Sequence, residues 1–184
     1  MTAINRLWLA FAAIGAGTIH LAVGASAPVL LAVIFAGLGI AELGWGVATL
    51  VRGRFSFADQ APFAFLIPVA VWITTAALGS AFGLTSDATG LPIFPMAIAT
   101  LFSLFVAGTL AIARRRATGA CRSAAAPAPQ GWRFLAALML GGLLVSGLTT
   151  PALAATDAGR QAAPHGSHSD FGPVEPHVQP ESHH

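Results

Sequence analysis

Residues 7–51 read LWLAFAAIGAGTIHLAVGASAPVLLAVIFAGLGIAELGWGVATLV, two apolar runs joined by a turn of small residues and a proline at 25–28. Each run, 7–27 and 29–51, has the ~20 residues that carry an α-helix across a hydrocarbon core ~30 Å thick. Three further runs, 61–84, 91–113 and 134–155, match them in length and composition. Inside a bilayer every backbone N–H and C=O must find its partner within the protein, and a helix does this within one segment. The expected architecture is therefore an all-α integral membrane protein, a five-transmembrane-helix bundle. Composition agrees. The chain is 55% hydrophobic and only 9% charged, where an ordinary soluble domain carries roughly a quarter charged residues.

Eight of the nine arginines orient the bundle, and lysine is absent. Arg6 precedes the first run, Arg52 and Arg54 follow the second, and Arg114, Arg115, Arg116, Arg122 and Arg133 lie between the fourth and fifth. The turns at the other ends, near Pro28 and 86–90, carry neither lysine nor arginine. This is the positive-inside asymmetry, which puts the N-terminus in the cytoplasm and the C-terminus outside a bacterial plasma membrane. The arginines are spread over three short segments without interleaved aromatics, so nucleic acid is not an expected partner. A weak attraction of Arg114–Arg116 to anionic headgroups is.

The chain divides into a four-helix membrane bundle at 1–113, a cytoplasmic linker at 114–133, a fifth transmembrane helix at 134–155 and a disordered external tail at 156–184. The first run leads straight into the second, so it reads as a first span rather than a removable signal peptide. Pro28 suits the first turn of the second helix. Pro68 should kink the third, with Thr74 and Thr75 bonding to neighbours or to their own carbonyls. Pro92 and Pro95 should make the start of the fourth irregular. Segment 117–130, rich in Ala, Pro and Ser, reads as a linker without helical periodicity. It holds the single cysteine, Cys121, which excludes an internal disulfide. The fifth run resembles a signal sequence. Ala152-Leu153-Ala154 fits the small-x-small cleavage rule, and Pro151 should favour an extended chain there; the alternative is an ordinary last helix. The tail's prolines at 164, 173, 176 and 180 and lone aromatic Phe171 cannot bury enough apolar surface to offset ordering entropy.

Only His20 and Glu42 are ionisable within the spans. A charge at the bilayer centre costs a few kcal/mol on insertion scales, so such residues face the bundle interior. At ~1.5 Å per residue, His20 sits about 20 Å from the cytoplasmic edge and Glu42 about 13–14 Å. The ~6 Å offset calls for tilt or a bridging water before they meet. Around Glu42, Gly39 and Gly46 lie at i−3 and i+4, Trp45 at i+3, and Gly37 with Ala41 forms a small-xxx-small pair, a face that admits another backbone. Three readings stand: a neutral hydrogen-bonded helix lock, a proton or cation relay, and part of a metal or small-ligand site. Two ligands alone are too few for zinc or copper.

A second cluster lies in the tail, where His165, His168, His177, His183 and His184 alternate with Asp170, Glu175 and Glu181. Neutral imidazole binds copper, zinc and nickel, and carboxylates can complete the shell. The spacing matches no closed zinc site, so affinity should be modest and strongly pH-dependent. There is no phosphate-binding glycine loop with lysine, no His-Glu-x-x-His and no nucleophile elbow, and no enzyme is expected. The expected function is a small non-enzymatic membrane protein whose tail captures a divalent transition metal for a transporter or metalloenzyme. Beside it stand a proton- or ion-conducting bundle using His20 and Glu42, and a structural accessory subunit of a membrane complex.

The stretches Gly17-Thr18-Ile19-His20-Leu21-Ala22 and Gly39-Ile40-Ala41-Glu42-Leu43-Gly44-Trp45 resemble small multipass membrane proteins of high-GC bacteria. These carry Gly-x-Ile-His-x-Ala on helix one and Gly-x-x-Gln/Glu-x-x-Trp on helix two. Val71-Trp72 and Thr89-Gly90-Leu91-Pro92 resemble their third span and outer loop, so the likeness covers about half the chain. It implies positions and packing for His20 and Glu42 rather than a reaction. Glutamine is also seen at the Glu42 position, which argues against an obligatory negative charge. The arginine asymmetry itself is open to test: alkaline phosphatase fused after His184 should be active and a fluorescent protein there dark, and cytosolic signal from an intact chain would reverse the orientation.

Overall fold

A computed structural model describes residues 2–53, 60–83, 91–119 and 131–161. Every regular element among them is helical: α1 (Ala3–Gly24), α2 (Val29–Arg52), α3 (Ala61–Ala64), α4 (Ile67–Ala81), α5 (Ile93–Gly119), α6 (Gly131–Ala154) and α7 (Asp157–Arg160). α3 and α4 together form one span, Ala61–Ala81, and with α1, α2, α5 and α6 they make five helices long and apolar enough to cross a membrane. The protein is thus a five-span helical membrane bundle, as its hydropathy requires.

α1 is the hub. It packs against α2, α5 and α6, and 67% of its apolar window is buried, against 6% for α6 at the rim. The reason is side-chain size. The buried positions of α1 include Ala10, Ala12, Ala13, Gly15, Ala16, Gly17 and Gly24, spread around the helix rather than along one stripe. Small residues let neighbouring backbones approach where lipid tails are as apolar as leucine and no hydrophobic drive operates between helices. α2 is different: its buried residues, Phe35, Gly39, Glu42, Gly46 and Thr49, recur at alternating steps of four and three. They form a single seam of coiled-coil type against α1.

The seam closes through glycine. A Cβ built on Gly17 would stand 2.7 Å from the Gly39 carbonyl oxygen, and one on Gly39 would stand 2.8 Å from the Gly17 oxygen. One on Gly46 would meet the Ala10 oxygen at 2.9 Å. Gly37 lies outside this contact, with nothing near its Cβ position. The Gly37–Ala41 pair expected to share the packing face therefore points away, and the close approach belongs to Gly39 and Gly46.

Prolines punctuate the bundle in ways that depend on helix phase. Pro28 stands at the N-cap of α2, one residue before its first turn, and its carbonyl accepts from Ala32 N–H at 2.8 Å. Pro68 lacks the N–H that would bond to Ala64. The third span breaks there into α3 and α4 through a turn at 65–66, leaving Pro68 in the opening turn of α4. Thr75 Oγ1 donates to the Val71 carbonyl at 2.7 Å. The start of α5 is regular rather than irregular. Met96 N–H donates to the Pro92 carbonyl at 3.2 Å, and Pro95 lies in a first turn whose N–H groups need no helical partner. α5 also runs past 113 to Gly119, so Arg114–Arg116 are helical residues rather than linker. Pro151 lies inside α6, and its carbonyl accepts from Ala155 N–H at 3.1 Å. The chain around the small-x-small motif is helical, with Ala152 buried, and not extended. Thr156 then caps α7, accepting from Gly159 N–H at 3.1 Å. Cys121, the 120–130 part of the linker and the tail from 162 lie outside the described residues.

Alanine forms helix better than glycine by about 1 kcal/mol, so stability lost on that exchange reports crowding. Gly17→Ala or Gly39→Ala should lose about 1–3 kcal/mol in detergent unfolding, while Gly37→Ala should be neutral or gain. Equal stability of all three variants would refute the glycine seam.

Candidate functional site

His20 stands one turn past Gly17 on α1, and Glu42 one turn past Gly39 on α2. The mutual glycine contact holds the two side chains against each other across the seam. His20 Nδ1 lies 2.6 Å from Glu42 Oε2, and the residues are 1% and 6% exposed. The ~6 Å axial offset estimated from helical rise is closed by direct side-chain contact. Helical side chains lean toward their own N-terminus. In this antiparallel pair His20 leans toward the arginine-bearing end of the bundle and Glu42 toward the opposite end, so they converge.

A third helix completes the centre. Ser103 on α5 is fully buried, and its hydroxyl donates a long hydrogen bond, 3.4 Å, to Glu42 Oε1. The imidazole stacks on Phe35, with centroids 5.6 Å apart and planes at 30°. Both carboxylate oxygens thus have partners, and α1, α2 and α5 are tied at one point. A nitrogen and an oxygen 2.6 Å apart hold one proton between them. Either the Nδ1–H donates to a carboxylate, or the carboxyl O–H donates to Nδ1. Both arrangements keep a buried polar pair satisfied where an unpaired charge would be costly. Moving the proton between them needs no rearrangement of the helices.

Glu42 also lines a cavity of about 480 Å³ between α2 and the third span. Its wall is apolar and aromatic, with Leu38, Trp45, Phe65 and Ile67, and it reaches Arg52 and Gln60 at the arginine-bearing end. Trp45 and Phe65 meet edge to face, centroids 5.2 Å apart. Glu42 therefore borders a space that continues toward the arginine-bearing end of the bundle. Further along the Glu42 seam, Thr49 is buried with no hydrogen-bond partner for its hydroxyl among the described residues.

His20 and Glu42, singled out from sequence, are brought together. The tail histidines His165, His168, His177, His183 and His184 lie outside the described residues. Among the described residues no three His, Cys, Asp or Glu side chains converge as a metal centre would need. Ser103 escaped sequence reasoning. Thr100 and Thr109 are comparable hydroxyl candidates on the same span, and the rotation and axial placement of α5 select among them. Fold and site together define a multipass helical membrane protein with a polar centre buried where three spans meet. No protein-family model, curated protein or solved structure matches the chain.

Proposed function

We propose that this is a non-enzymatic multipass protein of a bacterial plasma membrane, N-terminus inside and C-terminus outside, whose His20–Glu42 pair is a one-proton relay station. The 2.6 Å contact carries this reading. It supplies two groups of opposite protonation habit sharing a proton, in a setting where such residues mark ion and proton pathways. The cavity bordered by Glu42 offers exchange with one side. Ser103 steadies the carboxyl group from the other. The proton passes between Glu42 and His20 Nδ1, and the Nε2 position of the same ring provides the exit that a histidine shuttle uses. The resemblance to small membrane proteins of high-GC bacteria belongs to this proposal, as does the tolerance of glutamine at the Glu42 position. Where glutamine stands, the helix lock persists and the relay is lost.

In liposomes holding a pH-sensitive dye and an imposed potassium diffusion potential, the wild type should acidify or alkalinise the lumen as the potential dictates. Glu42→Gln should fall to the protein-free background while keeping its melting temperature. Unchanged flux in a folded Glu42→Gln variant would sink the relay.

A separate observation supports a second role. Five histidines with three carboxylates in the last twenty residues make a flexible ligand set for copper, zinc or nickel, held outside the membrane and available to a neighbouring transporter or metalloenzyme. Cu(II) titration of the full chain near neutral pH should show binding tighter than millimolar. The affinity should weaken as pH falls below the ordinary histidine range of about 6.5, because protons compete for the imidazoles. It should vanish when the five tail histidines are replaced by alanine. Binding that survives that replacement would place the metal elsewhere.

A further inference from the structure

α3 and α5 leave a groove between them at the arginine-bearing end of the bundle. Its volume is about 610 Å³. Phe63 and Leu66 form one wall, Leu104 and Gly108 the other, and Arg114 and Arg115 stand at its mouth. The shape follows from two sequence features. α3 is a single turn that meets α5 only over its own short length, and Gly108 presents no side chain, with nothing within 4 Å of its Cβ position. Arg114 is held over the groove by its own wall, its guanidinium carbon 5.8 Å from the centre of the Phe63 ring.

We propose that this groove is a binding site for one anionic phospholipid, its phosphate on Arg114 and Arg115 and an acyl chain along the Leu104–Gly108 face. Two observations converge on that occupant. From Leu104 to Arg115 the groove follows α5 for ~16 Å, about half the ~30 Å hydrocarbon thickness, which is the depth of one leaflet. Among the described residues that line it, the interior is apolar throughout that length and the charge is confined to the mouth, the distribution of a phospholipid rather than of a water-soluble anion. A planar guanidinium pair offers bidentate hydrogen bonds to phosphate oxygens. Basic pockets between transmembrane helices recognise anionic headgroups by this chemistry.

The full chain in nanodiscs of phosphatidylcholine containing phosphatidylglycerol, ejected into a mass spectrometer, reports which lipid it keeps. The wild type should retain phosphatidylglycerol with roughly tenfold preference over its share of the bilayer. Arg114→Gln with Arg115→Gln should abolish that preference without lowering the melting temperature, and Arg114→Lys with Arg115→Lys should keep part of it. Gly108→Leu should displace the retained lipid whatever its headgroup, because the side chain occupies the groove. Added inorganic phosphate should not compete. The proposal falls if the wild type keeps both lipids in bilayer proportion, if the glutamine variant keeps the preference, if Gly108→Leu retains lipid unchanged, or if phosphate alone displaces it.

Discussion

The contact between Gly17 and Gly39 sets the distance between α1 and α2, and nearly everything else in the interior follows from it. Each glycine faces the other's carbonyl oxygen at a separation that leaves no room for a methyl group. Helices that approach this closely gain dispersion and backbone contacts that larger residues would forbid. They also bring the residues one turn further on within reach. His20 and Glu42 occupy those positions, so a packing constraint between two residues without side chains decides the geometry of the two that carry the chemistry.

That arrangement reverses the usual order of a soluble core. The outer surface displays large apolar side chains, with Val29, Leu30, Val33 and Val51 on α2 and Trp132, Met139 and Leu143 on α6 more than two-thirds exposed. These meet acyl chains rather than water, so their exposure costs nothing. The interior of the hub helix is rich in alanine and glycine, and its ionisable groups meet at one point where three helices satisfy them. Polar contacts between membrane helices contribute modestly to stability, ~0.6 kcal/mol on average. The His20–Glu42–Ser103 centre therefore contributes only modestly to holding the helices together, and its proposed role is to hold a proton.

The two cavities share a neighbourhood. Both lie beside the third span where it divides, before Pro68, into α3 and α4. The two spaces differ in character. The space bordered by Glu42 leads to the buried centre, and the space below Arg114 is apolar and leaflet-deep. The first is the space the proposed relay would use, and the second is the proposed lipid site.

Much was legible from residues alone. The number of spans, their approximate limits, their embedding in a membrane and the inward facing of His20 and Glu42 follow from transfer energetics, which depend on composition and length and hardly on neighbours. The glycines beside Glu42 announced a close helix contact. What the chain could not reveal is helix phase. Whether Gly37 or Gly39 meets the partner turns on rotation about a helix axis, whereas which of Thr100, Ser103 and Thr109 reaches Glu42, and whether the axial offset between His20 and Glu42 closes directly, turn also on how the helices are placed along one another. Likewise Pro95 reads locally as a disruption but fits the first turn of α5, where its missing N–H is unneeded, and α6 continues past Pro151 although that residue cannot donate to the Gly147 carbonyl. Hydrophobicity is indifferent to rotation in a span that is apolar all round, and only packing against α1 removes that freedom.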